Sequence, residues 1–416
     1  MHAQPQHMDT RVLHDAVKPD PETGATTPTI VQSTAFAYET AESLEAVFSG
    51  REPGYVYSRI ANPTVTQFER RITALEAAQG ALACASGMAA ISATALALAG
   101  TGDEIIAGNS LFGGTHSLFS RTLSRYGIVT RFVQATDANA YRKAITDRTR
   151  LIFVESIGNP KLDVPDLAAI AGVAHEHGVV FAVDNTLATP VLLRPKTIGA
   201  NLVIHSTSKF INGHGHAIGG IIVDCGTFDW SSPRYAHLHP LHKRIGNLAF
   251  LSYLRSQVVR DLGCCLSPFN AFLMMIGVDT LAIRMERHCA NAGQVAQFLA
   301  GHPRVDRVRY PGRPDHPDQA LAQRQFGGRY GAVLTLELAD RTSCFRFING
   351  LKRARNLANI GEVRTLVIHP ASTFCREMSV EDRAAVGVSD NLVRLSIGIE
   401  HPDDIISDLE QSLAMI

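Results

Sequence analysis

From about residue 61 onward, short apolar runs alternate with helix-length segments. The runs at 81–85, 104–107, 129–134, 151–155, 179–184, 202–205 and 219–223 read as strands, and 88–98, 115–126 and 166–177 carry helical patterns. Asp166 sits where a helix N-cap belongs, and Gly178 where a C-terminal glycine stop belongs. Continuous apolar strands separated by helices predict an α/β fold with a mostly parallel sheet covered by helices on both faces. Sites on such sheets gather at the carboxyl ends of the strands. Polar or small residues follow several strands here: Ser86-Gly87, Glu155-Ser156, Asp184-Asn185-Thr186 and Ser206-Thr207-Ser208-Lys209. Chemistry is expected there.

The flanking regions follow other patterns. Residues 1–60 are rich in Thr, Pro and Gly and lack a long amphipathic period, which predicts an N-terminal arm lying on a neighbouring subunit. A Pro- and His-rich connection with the only tryptophan, Trp230, runs from Gly226 to about residue 245. A long helical region, 248–298, is expected to break near Pro268. The runs at 330–338 and 393–397 read as strands of a smaller C-terminal α/β domain. The expected division is an arm at 1–60, a large domain at 61–265 and a C-terminal domain at 266–416.

Composition narrows the function classes. The 416 residues are 45% hydrophobic and 19% charged, and 39 basic residues balance 39 acidic ones. That balance leaves no electrostatic footprint for nucleic acid or an anionic membrane. The longest apolar stretch, 88–99, is interrupted by Ser92 and Thr94 and is too short to span a bilayer. The first residues have no apolar core of a secretory signal. Seven cysteines without CxxC pairs suggest reduced thiols. A cytoplasmic enzyme is the expectation.

Of seven lysines, six lie in polar, surface-like surroundings. Lys209 follows a buried strand and a Ser-Thr-Ser tripeptide, and the flexible stretch INGHG comes next. Partial desolvation there lowers the pKa of an amine and makes it nucleophilic, able to form a Schiff base with an aldehyde cofactor or a carbonyl substrate. An ordinary solvated loop lysine is the alternative. Asp184 ends the apolar run VVFAVD about 25 residues earlier. It suits either a protonated pyridine nitrogen, as in pyridoxal phosphate (PLP), or a plain turn. Ser86-Gly87-Met88 opens a helix, where free N–H groups make a phosphate site, and Ser206 and Ser208 can add hydroxyls.

These residues sit within longer motifs. YSRIANPT (57–64), ASGMAA (85–90), LFGGTHSLF (111–119), ESIGNP (155–160), VDNTLATP (183–190) and HSTSKFINGHG (205–215) occur in this order. RDLGCCLSPFNAF (260–272), RMERH (284–288), LANIGEVRTLVIHPAS (357–372) and VRLSIGIEHPDDII (393–406) follow. With them the chain resembles, over nearly its whole length, the Cys/Met-metabolism family of PLP-dependent enzymes, and within it the O-acetylhomoserine sulfhydrylases. The resemblance implies fold type I of the PLP-dependent transferases, with a seven-stranded sheet, and a homotetramer built from dimers with shared active sites. It implies that Lys209 is the Schiff-base lysine and shuttles protons along the substrate, and that Asp184 holds the pyridine nitrogen. Gly87, Met88, Ser206 and Ser208 would bind the phosphate, with Tyr57 and Arg59 reaching it from a neighbouring subunit. Phe112 would stack on the cofactor, Asn159 would lie near it, and Asn359 and Arg394 would bind the substrate carboxylate.

Two departures from the family pattern matter most. Phe112 stands where the family usually has Tyr. A phenyl ring keeps the stacking but donates no proton, which favours a good leaving group such as the acyloxy group of an activated homoserine. His216 stands where Thr, Ser or Asp is usual, as an extra acid or specificity group or as a plain loop histidine. Ser208 replaces a more common Thr, and the connection 226–246 is shorter than in typical members. The implied activity is γ-replacement on O-acetyl- or O-succinylhomoserine with sulfide or a thiol. The alternatives are a γ-lyase for methionine or a similar amino acid, cystathionine γ-synthase, and a catalytically idle PLP carrier. His175-Glu176-His177 does not share a helix face, so no metal site is expected. GHGHAIGG lacks dinucleotide-loop spacing, and the adjacent Cys264 and Cys265 are poorly placed for a disulfide with each other.

Overall fold

A computed structural model describes residues 7–21 and 23–416. The larger sheet holds β1 (Gly80–Cys84), β2 (Glu104–Gly108), β3 (Val129–Val133), β4 (Thr149–Glu155), β5 (Val180–Asp184), β6 (Leu202–His205) and β7 (Gly220–Asp224). Their spatial order is β1-β7-β6-β5-β4-β2-β3. β7 runs antiparallel to β1 and β6, and the remaining pairs are parallel. The mostly parallel seven-stranded sheet is therefore present, its strand ends shifted by one or two residues from expectation. The single reversal has a local cause. Parallel neighbours need a long crossover, whereas 206–219 turns back as a loop, and that loop carries Lys209 over the end of the sheet.

The apolar runs are continuous because the central strands are buried on both faces. Ile106, Ile152, Val154, Phe181, Val183 and Val203 pack on one side, with Phe68 and Ile72 of helix Pro63–Leu75 and Leu167 and Ile170 of helix Leu167–Glu176. Ile105, Leu151, Phe153, Val180, Ala182 and Ile204 pack on the other, with helix Gly87–Leu98 and the buried Trp230, Tyr235 and Phe250. Asp166 caps its helix by accepting from Ala169 N–H at 3.0 Å, and Gly178 has φ of +62°, as its place in the sequence requires. The stretch 115–126 departs from the expected helix. From 113 to 126 the chain forms one short helix, Gly113–Ser117, then a π turn at Leu118–Thr122 and a 3-10 turn at Leu123–Tyr126. Two glycines at its start supply little propensity, so the burial of Leu118, Phe119 and Leu123 dictates the path.

The helical region breaks at 263–267, giving helices Pro268–Asp279 and Leu281–Ala300. The second spans two cores. Leu281 and Met285 pack with the large sheet, whereas Val295 and Leu299 pack with a five-stranded sheet. That sheet holds β8 (Arg307–Arg309), β9 (Val333–Glu337), β10 (Arg355–Asn356), β11 (Leu366–Ile368) and β12 (Leu392–Ser396), ordered β10-β11-β12-β9-β8. Sequence periodicity finds β9 and β12 but not the two- and three-residue strands. Near the N-terminus, helix Met8–His14 buries Val12 against its own chain, while helix Ala41–Phe48 buries none of its residues.

Candidate active site

The carboxyl ends of β4, β5 and β6 and the start of helix Gly87–Leu98 open onto one cavity of about 660 Å³. Its far wall comes from 357–362, Phe374 and Arg394 beside the smaller sheet. Gly87, Met88, Phe112, Asn159, Asp184, Ser206, Ser208, Lys209, Asn359 and Arg394 all line it. Tyr57 and Arg59 do not. Arg59 Nη1 donates to the carbonyl of Arg260 at 2.6 Å, its guanidinium lies 5.3 Å from the Tyr57 ring centre, and Tyr57 is 39% exposed.

Ser86 caps the helix by accepting from Ala89 N–H at 3.0 Å, so Gly87 and Met88 present N–H groups that have no intrahelical acceptor. The helix start sits tight against the lysine loop. A Cβ on Gly87 would lie 2.6 Å from Ser206 Cβ. Ser206 N–H donates to Thr186 Oγ1 at 2.8 Å. The Ser208 hydroxyl donates to the Gly219 carbonyl at 3.1 Å and accepts Gly219 N–H at 3.0 Å, which ties the two ends of the loop together.

Asp184 Oδ1 accepts from Thr186 N–H at 3.0 Å and from the Thr186 hydroxyl. Burial raises its pKa, and the two Thr186 bonds partly offset that rise. Glu155, at the end of β4, accepts Phe112 N–H at 2.6 Å and leaves Oε2 buried without a partner. Burial first, and then the Asp184 charge, push its pKa well above the usual carboxylate range. Lys209 is held near a pKa of about 8 by burial and by the Arg394 charge, against the opposing pull of Glu362. Its Nζ donates to Asn359 Oδ1.

Arg394 is 4% exposed. It donates to Asn159 Oδ1 at 3.0 Å and to the Asn359 carbonyl at 3.2 Å, and it stands 4.7 Å from the Phe374 ring centre. Burial lowers its pKa to about 10, so it remains charged at neutral pH. Phe112 faces Phe374 with ring centres 6.5 Å apart. His216 stacks on His214 and contacts Asn212 outside the cavity lining. Burial and the neighbouring His214 lower its pKa.

The residues fit pyridoxal phosphate: a glycine-walled helix start for a phosphate, a buried carboxylate with charge to balance, a lysine of lowered basicity, and room between them. Residues 9–414 match the family described as Cys/Met metabolism PLP-dependent enzymes. The chain belongs to that family. It is 43% identical to an O-acetyl-L-homoserine sulfhydrylase of Thermus thermophilus, over 98% of this chain and 99% of that one. It is 41% identical to a homocysteine synthase of Schizosaccharomyces pombe, over 99% of both. A crystal structure from Campylobacter jejuni, described as an O-acetylhomoserine (thiol)-lyase carrying N′-pyridoxyl-lysine-5′-monophosphate, superposes with TM-score 0.94 at 33% identity, over 98% of this chain and all of that one. As a member of the family this chain is a PLP-dependent enzyme.

Sequence reasoning did not single out Glu155, Thr186, Glu362 or Phe374, although all four line the cavity. Glu155 and Thr186 sat in the strand-end segments it did flag. Glu362 lay within the quoted motif 357–372, but nothing near it or Phe374 in the chain tells that they face Lys209 and Arg394. Among the described residues no cluster of His, Cys, Asp and Glu suits a metal ion, and no helix is long and apolar enough to cross a membrane.

Proposed function

We propose that this enzyme replaces the γ-substituent of an activated homoserine, O-acetyl- or O-succinylhomoserine, with sulfide or a thiol, giving homocysteine or a related amino acid. The observation that carries the reading is the convergence on Asn359, whose side-chain oxygen takes Lys209 and whose carbonyl takes Arg394. A proton-moving amine and a carboxylate-binding guanidinium thus share one cavity at fixed separation, which suits an α-amino acid. When bound, pyridoxal phosphate supplies the electron sink for bonds broken next to the amino-bearing carbon.

The chain's own residues do the remainder. Gly87 and Met88 N–H groups hold the phosphate at a helix N-terminus. The Asp184 carboxylate accepts the ring N–H, and the positive ring offsets the cost of its burial. Arg394 grips the substrate carboxylate in the fork geometry suited to guanidinium. Lys209 moves protons at Cα, Cβ and Cγ of the substrate, because its lowered basicity keeps both protonation states accessible near neutral pH. Phe112 covers the ring face without an acidic hydrogen, which favours an acyloxy leaving group over a thiolate. The apolar wall of Phe112, Phe374, Leu357 and Ile360 keeps water from the Cγ end.

The same reading places Tyr57 and Arg59 on the phosphate of a neighbouring subunit in a cytoplasmic homotetramer. Their exclusion from their own cavity supports it, as do exposed apolar side chains such as Phe48, Leu248 and Phe269. It also divides the chain into an arm at 1–60, a large domain at 61–265 and a C-terminal domain at 266–416.

Product analysis of PLP-loaded protein given O-acetylhomoserine tests the reading. Homocysteine formed only with sulfide, with little 2-oxobutanoate, is the expected result. Abundant 2-oxobutanoate with or without sulfide would make the enzyme a γ-lyase and overturn it.

A further inference from the structure

Asn359 has a third polar partner beside Lys209 and Arg394. Asn359 Nδ2 donates to Glu362 Oε1 at 2.8 Å. This bond settles the amide's orientation, because a carboxylate only accepts: the NH2 faces Glu362, and the amide oxygen faces Lys209. In the flipped orientation two acceptors would meet, and the NH2 would point at a lysine that also donates. Gly361, two residues after Asn359, has φ of +76°, and a Cβ there would come within 2.6 Å of Phe210 N. Position 215 must leave Glu362 room, since a Cβ on Gly215 would come within 2.6 Å of the Glu362 carboxylate.

We propose that Glu362 is a positioning residue for Lys209: through the Asn359 amide it holds the lysine head group as an ammonium whenever Lys209 is not joined to the cofactor. The proposal rests on Lys209 being the cofactor lysine of the function argued above. The charged groups around the lysine come from several elements. Arg394 of β12 opposes the ammonium, and Glu362 favours it. Asp184 of β5 and Glu155 of β4 line the same cavity. His214 and His216 lie on the following loop with side chains outside the lining. Glu362 is the group that also fixes a hydrogen-bond acceptor on the amine. It therefore counters the burial and the Arg394 charge, which otherwise drive the amine toward its neutral form. The benefit falls in the step where the enzyme must return a proton to the substrate, which a neutral amine cannot do.

Replacing Glu362 by Gln removes the charge and lets the Asn359 amide turn its NH2 toward the lysine. Both changes favour the neutral amine. The test uses full-length protein stripped of PLP and remixed with it across neutral to alkaline pH, following growth of the visible absorbance band. Only the unprotonated amine attacks the aldehyde, so the pH midpoint of the capture rate reads Lys209 protonation. For the native protein it is expected near 8. For Glu362→Gln it is expected lower by about 0.5–1 unit, with capture about 3–10-fold faster below the midpoint and the same alkaline plateau. Glu362→Asp should recover most of the native midpoint. In the loaded enzyme, the alkaline limb of the pH–rate profile should move down by the same amount in Glu362→Gln. An unchanged or raised midpoint would overturn the proposal, as would a lower alkaline plateau at an unmoved midpoint, which marks a merely structural role. Failure of the underlying reading looks different: native protein that captures no PLP, or Lys209→Ala protein that still does.

Discussion

Arg394 illustrates how much of this site resides in single side chains. It is buried, charged, and held by two asparagines 235 and 35 residues away in sequence. Arg394→Lys keeps the charge but loses the fork, so kcat/KM for the amino acid should fall about 10–100-fold, mostly through KM. PLP affinity should stay constant, and steady-state kinetics beside a cofactor titration checks both. Phe112→Tyr should add elimination of methionine, detected as 2-oxobutanoate, if the absent hydroxyl is what limits poor leaving groups; no gain would refute that argument. Away from the substrate, the neighbouring Cys84 thiol lowers the Cys264 thiol to about 7, and the same pairing drives Cys84 up. Cys264 is half-buried, whereas Cys84 is fully buried. Iodoacetamide should therefore alkylate Cys264 first, with a rate midpoint near pH 7 that moves up in Cys84→Ala. Peptide mapping that finds Cys84 labelled first would contradict this.

The loop 206–219 joins neighbouring antiparallel strands, and everything around it serves to hold it still. Behind it, the His205 ring meets Glu76 at 2.6 Å with both side chains fully buried, tying the end of helix Pro63–Leu75 to β6. Glu76→Ala leaves the buried His205 ring without its hydrogen-bond partner and should cost about 1–3 kcal/mol, read as a lowered denaturant midpoint. In front of it, Gly87 permits contact between the helix start and Ser206. Gly87→Ala forces those elements apart and should weaken PLP binding by about tenfold or more while leaving the far-ultraviolet spectrum unchanged. The central strands of the large sheet were legible because burial on both faces makes each one a continuous apolar run. β8, β10 and β11 were not, since two or three residues carry no period, and 115–126 misled because its apolar spacing is helical while Gly113 and Gly114 just before it favour no helix.

The arrangement of the chain explains why two motif residues stand apart from the rest. Tyr57 and Arg59 lie outside the cavity of their own chain, so if subunits share sites, two different inactive variants should repair each other. Arg59→Ala and Lys209→Ala proteins, unfolded together and refolded as a mixture, should regain activity at about a quarter of the sites. Each alone should stay near background, and a mixture that remains inactive would place Arg59 in its own subunit's site or outside catalysis.

The succession of strands along the chain, the strand-end positions of Asp184 and Lys209, and the glycine-opened helix at Gly87 were all written locally. Apolar runs, caps and turn residues act over a few neighbours, so a linear chain displays them, and the long match to one enzyme family assigned their roles. What folding added were relations between distant segments. Asn359 bridges Lys209 and Arg394, Glu362 orients Asn359, Glu155 fixes Phe112, and Phe374 backs the arginine. None of these is visible in one dimension, because desolvation and charge proximity belong to the packed cavity rather than to a residue's neighbours in sequence. The lowered basicity of Lys209 is the clearest case: the sequence placed a lysine after a buried strand, but the depth of its burial and the opposing pulls of Arg394 and Glu362 exist only once two sheets close around it.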